Sequence, residues 1–347
     1  LDSTLPNIEA DIFSSLGWLS LRRGNLPTAR ELLEEAVHIV EKTQHYDVLS
    51  AGLNRLGAVY YNQGDWQHAT QVVERSLAIR EELGDLLGVA RSSNNLGILQ
   101  CNRGDWNGAL ENYKRCLSAM EHIGDIEGQA IAHTNIGNVY IEMGKWSEAE
   151  HNLQQSADIA QRIANPYEVA QAHLNLGRLY LLRENWDKSE QHLDIAIPLY
   201  AQAGARANPN LIDAYWLKGL LFLEQSNVEQ ATSWAERSYT LLQEVTGKAI
   251  GESTEWGRYE YLMGRIALSK GALVDAQTHL QCSKAIFENS KSLVEVGRAA
   301  YWLAQTWLAC AELEQAEASL IEAQEIFRQL GAVDDLRRVD QILATMN

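Results

Sequence analysis

The chain repeats itself at a spacing of 40 residues, and that feature restricts it to architectures built by stacking like units. Four segments display the period: LNRLGAVYYNQGDWQHA, SNNLGILQCNRGDWNGA, HTNIGNVYIEMGKWSEA and HLNLGRLYLLRENWDKS. Their central glycines are Gly57, Gly97, Gly137 and Gly177. One period earlier stands Gly17, and Gly219, Gly264 and Ala304 come after at intervals of 42, 45 and 40 residues. Eight repeats fill nearly all of the 347 residues. Length alone would give about two domains; the repeat predicts a single array over 1–347.

Two further columns fix the register. Twelve residues after the anchors stand Ala29, Ala69, Ala109, Ala149, Ser189, Ala231, Ala276 and Ala316. Nineteen residues after them stand Ala36, Ser76, Cys116, Ser156, Ala196, Ser238, Ser283 and Ala323. Every position is small, as a close crossing of two helices requires, because a larger side chain would overpack. Cys116 belongs to this column and reads as a packing residue.

Each repeat reads as two helices. Seven residues after the anchor, Gly24, Gly64, Gly104, Gly144 and Gly271 suit the left-handed end of the first helix. Asn25, Asp65 and Asp105 come next and suit the N-cap of the second. Pro27 fits a first helical turn. Trp66, Trp106, Trp146 and Trp186 share a slot near the start of the second helix, and this fixed place assigns them to helix packing rather than to a ligand box. Beyond the last repeat, Leu336, Val339, Ile342 and Leu343 lie on one stripe. They predict a capping helix over 333–345 that hides the end of the array.

The pattern L-G-x-x-Y, a glycine four residues later, then an aromatic and an alanine, resembles the tetratricopeptide repeat (TPR). The resemblance covers about residues 8–330 and is strongest in the first five repeats. The family's usual period is about 34 residues, so these repeats are long. Long repeats of this kind are similar to those of the Pins/LGN-type adaptors, AHTNIGNVYIEMGKWSEAE especially, and to the sensor arrays of MalT-like bacterial signal-transduction ATPases. The run AQEIFRQLGAVDDLRRVDQIL resembles the ends of such bacterial arrays. The resemblance implies an all-α, right-handed superhelical solenoid of helix-turn-helix repeats with a ligand-binding inner groove. A chain that starts at Leu1 rather than Met is expected to be a fragment of a longer protein.

Helical geometry assigns residues to faces. At about 100° per residue, anchor offsets −1, 0 and +3 share one side, held by Leu56, Gly57, Tyr60 and their equivalents, which is the packed side. Offsets −6, −3, +1, +4 and +5 point the opposite way, and the resemblance makes that side the groove. In the first five repeats it presents Asn54, Tyr61, Asn62, Arg91, Asn94, Asn102, Asn138, Gln171 and Arg178. Offset −2, on the flank, adds Arg55, Asn95, Asn135 and Asn175. Asparagine is a poor helix former because its amide competes for the backbone, so its recurrence needs a reason. An amide both donates and accepts, so a ladder of them suits the main chain of an extended peptide. By resemblance, asparagines at these slots hold peptide backbone in the Pins-type adaptors. The alternative is that they cap neighbouring helices or face water.

The last three repeats present Arg258, Arg265 and Arg298 with Trp216, Tyr261 and Tyr301, a combination suited to bidentate bonding and stacking. Over the whole groove face, six arginines (Arg22, Arg91, Arg178, Arg258, Arg265, Arg298) meet four acids (Asp11, Glu142, Asp213, Glu224), a balance of +2 in a chain of net charge −17. This reversal points to an acidic or carboxylate-bearing ligand, the alternative being that the arginines pair with carboxylates of the next repeat. No lysine occupies a groove slot, so the two-carboxylate clamp of the chaperone-binding members is not matched.

Other function classes find little support. A pI near 5.0 opposes a general nucleic-acid binder, and no apolar run reaches the roughly 20 residues of a membrane span. Cys101, Cys116, Cys282 and Cys310 form no CxxC or zinc spacing and read as reduced thiols of a cytoplasmic protein. There is no phosphate loop, G-x-S-x-G or HExxH. His133 and His173 share offset −4 on the packed side, and the neighbours in Glu34–Glu35 and Glu81–Glu82 diverge. The expectation is no catalytic residue, no metal and no cofactor. The chain reads as a non-enzymatic protein–protein interaction scaffold that binds a peptide or protein segment in its groove. The alternative is the effector-sensing array of a larger bacterial regulator, taking a small anionic ligand or pathway protein and controlling an output domain elsewhere. The longer spacings mark junctions around Arg206–Asn210 and Gly247–Gly251, where the array could bend or pack against a second chain.

Overall fold

The computed structural model describes residues 4–43, 45–202, 209–246 and 253–346. It is 88% helical, with seventeen helices and no strand among the described residues. The chain divides into two compact units, Leu1–Ala132 and His133–Asn347. The first contains α1 (Thr4–Arg22), α2 (Leu26–Thr43), α3 (Tyr46–Asn62), α4 (Trp66–Glu82), α5 (Leu86–Asn102) and α6 (Trp106–Ile123). The division falls within α7 (Ile126–Glu142). The second unit continues with α8 (Trp146–Arg162), α9 (Pro166–Leu182), α10 (Trp186–Gln202), α11 (Pro209–Glu224) and α12 (Val228–Thr246). It ends with α13 (Thr254–Ser269), α14 (Leu273–Asn289), α15 (Leu293–Ala309), α16 (Leu313–Leu330) and α17 (Val333–Met346). Of the two junctions marked by the longer spacings, residues 206–208 and 247–251 lie outside the described residues. No helix among the described residues is long and apolar enough to cross a membrane.

The turn inside each repeat is the same device eight times over. Seven residues after the anchor the backbone turns left-handed, at φ 70° in Gly64, and the next residue donates its N–H to the carbonyl five positions earlier, Asp65 to Tyr60 at 2.9 Å. Glu184, Ser226 and Ala311 occupy the slot without glycine and still adopt φ 58°, 60° and 62°. The second helix then starts on its cap: Asp65 Oδ1 accepts the N–H of His68 at 3.2 Å, and Asp105 Oδ1 that of Gly108 at 3.0 Å. Lys145, Ala272 and Glu312 stand in the same slot and supply no side-chain cap. The turn geometry, common to all eight repeats, is therefore the stronger determinant.

Both columns of small residues are buried throughout. The anchor glycine lies against the residue sixteen positions later on the second helix. A Cβ on Gly57 would stand 2.3 Å from Val73, and one on Gly177 2.9 Å from Leu193. In the second column the Ser76 hydroxyl donates to the buried carbonyl of Ser50 at 2.7 Å and that of Ser283 to the carbonyl of Gly257 at 2.8 Å, whereas Ser156 meets the Thr134 hydroxyl at 2.7 Å and the Ser238 hydroxyl has no partner among the described residues. Cys116 is buried there as a packing residue, and burial pushes its thiol up to about 11. The sixth repeat departs from the pattern. Ala235 is too small to reach Gly219, and Leu262 of α13 fills the space instead, 2.6 Å from a notional Gly219 Cβ. The first helices α11 and α13 pack on one another there, as the successive first helices α1 and α3, and α9 and α11, also do.

The predicted capping helix is α17. Val339 is fully buried, and Leu336, Ile342 and Leu343 pack with it against the last repeat.

Ala109 has no exposed surface, so Ala109→Leu is expected to lower stability by about 1–3 kcal/mol. A urea melt matching that of the unmodified chain would mean that the repeat register is misassigned.

Candidate functional site

The second unit encloses a cavity of roughly 480 Å³. The first helices of four successive repeats line it: α9, α11, α13 and α15. Offsets −6 and −3 contribute from all four, as Gln171, Asp213, Arg258 and Arg298 and as Leu174, Trp216, Tyr261 and Tyr301. Asn175, Arg178, Leu217, Leu220, Glu224 and Arg265 complete much of the wall. The residues Trp216, Arg258, Tyr261, Arg265, Arg298 and Tyr301, singled out from helical geometry, thus surround one space together with Asn175 and Arg178.

The arginines in that space are already paired. Arg258 donates to Asp213 at 2.5 Å and Arg265 to Glu224 at 2.7 Å, each reaching the first helix of the preceding repeat. Arg178 donates to Glu142. Arg298 donates to Asp335 of α17 at 2.9 Å and to Glu142 of α7 at 3.3 Å. Glu142, with a side chain only 13% exposed, therefore sits between two guanidiniums from different repeats. Burial alone would raise its carboxyl, but Arg178 and Arg298 outweigh that and hold it below the usual carboxylate range. For Asp213 burial wins over Arg258, and its carboxyl is raised. A second hollow of roughly 440 Å³ shares Arg298, Asp335 and Arg338 with the first and is bordered by Glu142 and Trp146.

Aromatic rings fill the gaps between the charges. Arg265 lies 3.9 Å from the ring centre of Trp302, and Arg258 lies 5.6 Å from that of Trp216. Trp216 Nε1, Arg258 Nε and Arg265 Nε are buried without a hydrogen-bond partner among the described residues. Each such donor costs about 1–3 kcal/mol unless something else satisfies it.

The asparagine ladder has partners of its own. In the first unit Asn95 donates to Asn54 at 3.0 Å, and Asn102 donates to the Tyr61 hydroxyl at 3.2 Å, so these side chains staple successive first helices. Asn62 bonds the carbonyl of Ala58, and Arg91 is exposed. Asn94 is half-buried and not without a partner. In the second unit the same holds for Asn135, Asn175 is buried and bonds Gln171 of its own helix, and the Asn138 Oδ1 is buried without a partner. The cavity wall draws on Asn175 alone among these asparagines.

Sequence reasoning misses Trp302, Glu295, Asp335, Arg338 and Trp186, all of which line the cavity. Trp302 stands at offset −2, the flank position, which is the signal that could have found it. The shared slot assigns Trp186 to helix packing with its three counterparts; it is 38% exposed, whereas Trp106 is buried. Asp335 and Arg338 enter from α17, whose docking the repeat arithmetic does not address. The packed-side histidines behave as expected. His133 Nδ1 meets Asn152 at 3.1 Å, and His173 Nδ1 meets His192 Nδ1 at 2.8 Å. No group of three or more His, Cys, Asp or Glu among the described residues could hold a metal ion.

A family model described as the MalT-like TPR region matches residues 17–240. No curated protein matches the chain in sequence. Among solved structures, aspartyl phosphate phosphatase F from Bacillus subtilis is similar over 95% of this chain and 96% of its own, at 12% identity and a TM-score of 0.68. A Rap protein complexed with competence and sporulation factor is similar over 98% and 100%, at 13% identity and a TM-score of 0.61. The apo form of the quorum sensor NprR from B. thuringiensis is similar over 90% and 87%, at 12% identity and a TM-score of 0.62. At such identities the likeness is one of fold.

The charges generate two predictions. Glu142→Ala leaves Arg178 without its carboxylate and is expected to cost about 1–3 kcal/mol, below the roughly 3–5 of a fully buried pair. Amide exchange should quicken in α17, and unchanged exchange there would separate Glu142 from the docking of that helix. The second concerns His192, which faces His173, Tyr180, Lys188 and Glu150. Burial, then His173 and Lys188, push it down to about 4, and burial lowers His173 too. The unfolded chain protonates near the ordinary value of about 6.5. The pair's contribution is therefore full above that pH and is lost as the pH falls toward 4. Between about pH 7 and about pH 5 the urea midpoint should drop further for the unmodified chain than for His192→Gln. Equal drops would remove His192 from the account.

Proposed function

The chain belongs to the MalT-like TPR family, and from that premise we propose that it is a non-enzymatic binding array whose second unit takes a peptide or protein segment into its cavity. The observation that carries this reading is the cavity itself. Four successive repeats turn their inner-face positions onto one space of roughly 480 Å³, within the range of small-ligand sites, where apolar and aromatic side chains are interspersed with as many polar and charged ones. Two proteins of similar fold support it by their descriptions: one Rap protein is complexed with competence and sporulation factor, and NprR is a quorum sensor. The family also favours a second reading, in which the array is the sensing part of a larger regulator and binding is passed to an output domain. Both readings place the ligand in the same cavity.

Immobilised protein would be exposed to a randomised octapeptide pool and the retained peptides identified by mass spectrometry. The unmodified chain is expected to enrich a defined set. Leu182→Trp, which adds volume at a half-buried wall position, is expected to lose that set while its melt stays near the original. Equal retention by both proteins would remove the cavity from the mechanism, and no retention at all would end the peptide reading.

A further inference from the structure

The turns that join one repeat to the next carry apolar side chains that the fold leaves in water. The two helices of a repeat are antiparallel, so in the first unit these turns lie along one edge. That edge presents Tyr46, Leu83, Leu86, Leu87, Ile123 and Ile126, each 38–50% exposed. They recur at fixed places. Leu83 and Ile123 stand fourteen residues before the anchors Gly97 and Gly137; Tyr46, Leu86 and Ile126 stand eleven residues before Gly57, Gly97 and Gly137. The turn itself does not require them. Ser290 holds the slot of Leu83 before the last repeat, at φ −81° and ψ −2° against φ −79° and ψ −12°. An apolar row kept exposed in successive repeats is therefore a property of the surface, and contiguous surface of this kind marks an interaction site.

Carboxylates rim the row. Residues 81–88 and 121–128 hold six of them, Glu81, Glu82, Asp85, Glu121, Asp125 and Glu127, and no lysine or arginine. Arg80 meets Asp85 at 2.7 Å. Arg115 of α6 pairs with Glu81 of α4, and Arg75 of α4 with Glu41 of α2 at 2.6 Å, which ties successive second helices side by side. Asp47, Glu82 and Glu121 are exposed and make no ion pair among the described residues. This rim selects the occupant. A second copy docking by the same edge would bring like charges together, and an anionic lipid surface would be repelled. Successive turns are offset by the spacing of packed helices, about 8–10 Å, and two turns of an α-helix rise about 11 Å. We propose that this edge docks an amphipathic helix of a partner protein, with apolar residues recurring at heptad spacing against the row and Lys or Arg on its flanks against Asp47, Glu82 and Glu121. A helix of about 15 residues covers the three turns. The surface belongs to the first unit and does not depend on the cavity of the second.

Two pools of peptides of about 16 residues, N-acetylated and C-amidated, test it on the immobilised full chain. Both carry Leu, Ile, Val or Phe at the a and d places of each heptad. The other places are drawn from Lys, Arg, Gln and Ala in one pool and from Asp, Glu, Gln and Ala in the other. Retention from the basic pool alone is expected. The double variant Leu83→Ser/Ile123→Ser introduces at both slots the side chain that position 290 already tolerates, so its melt should match the original. A retained peptide should bind it at least about 10-fold more weakly, because two apolar contacts are lost. Glu82→Gln/Glu121→Gln should weaken the peptide about 2- to 5-fold, the worth of exposed ion pairs, and about 1 M salt should erase that difference. If Leu83→Ser/Ile123→Ser fails to fold, Leu87→Gln/Ile126→Gln on the same row decides in its place. Unchanged affinity in the folded apolar variant, retention from the acidic pool, or retention from neither pool overturns the inference. So does a dimer of the unmodified chain that the apolar variant abolishes, which would make a second copy the occupant.

Discussion

The structure depends on how closely the two helices of a repeat approach. The small residues twelve and nineteen positions after each anchor are buried in all eight repeats, and the anchor glycines leave no room for a Cβ. A side chain larger than serine or cysteine at these crossings would push the helices apart. Within a unit that displacement would be carried into the next repeat, because each repeat packs mainly on its neighbours. The inner-face side chains are positioned by the same crossings. Their register is therefore inherited from a packing constraint on the far side of the helix, and the polar wall of the cavity needs no loop to organise it.

In the sixth repeat the constraint is relaxed at one point. Ala235 leaves a gap beside Gly219, and Leu262 from the next first helix closes it. Leu262 adds to a contact between successive first helices, here α11 and α13, that other repeats also make. Trp216 on the one stands beside Arg258 and Tyr261 on the other. A larger side chain at position 235 would compete with Leu262 for the space and separate these side chains.

Much of the fold is legible in the sequence. A strict period, small residues in two columns and turn residues at fixed offsets determine a helical-repeat fold almost without tertiary information, because each repeat contacts like repeats. The inner face is legible for the same reason: offsets from an anchor translate into angles on a helix, and Gln171, Arg178, Trp216, Arg258, Tyr261, Arg265, Arg298 and Tyr301 all come from that arithmetic. Pairing is not legible. Counting charges on a face gives a surplus of arginine, but Asp335 comes from α17 and Glu142 from a helix 156 residues away from Arg298. Such contacts depend on how far the second unit curves within itself, a property summed over repeats that no single repeat displays. The asparagines illustrate the same limit, since Asn54 and Asn95 satisfy one another across a distance that only the stacked structure defines.

The charge economy of the cavity connects these points. An arginine in a poorly solvated wall must be neutralised, and a carboxylate from an adjacent first helix is the nearest source. Each pairing ties two repeats together and removes one unit of net charge from the wall. It does not consume the guanidinium, which has five donors in a fixed fork and commits one or two of them to its carboxylate. Stacking against Trp216, Tyr261 and Trp302 then restricts where the remaining N–H groups can turn. An acidic chain of net charge −17 can in this way hold a donor-rich wall without a strongly positive field.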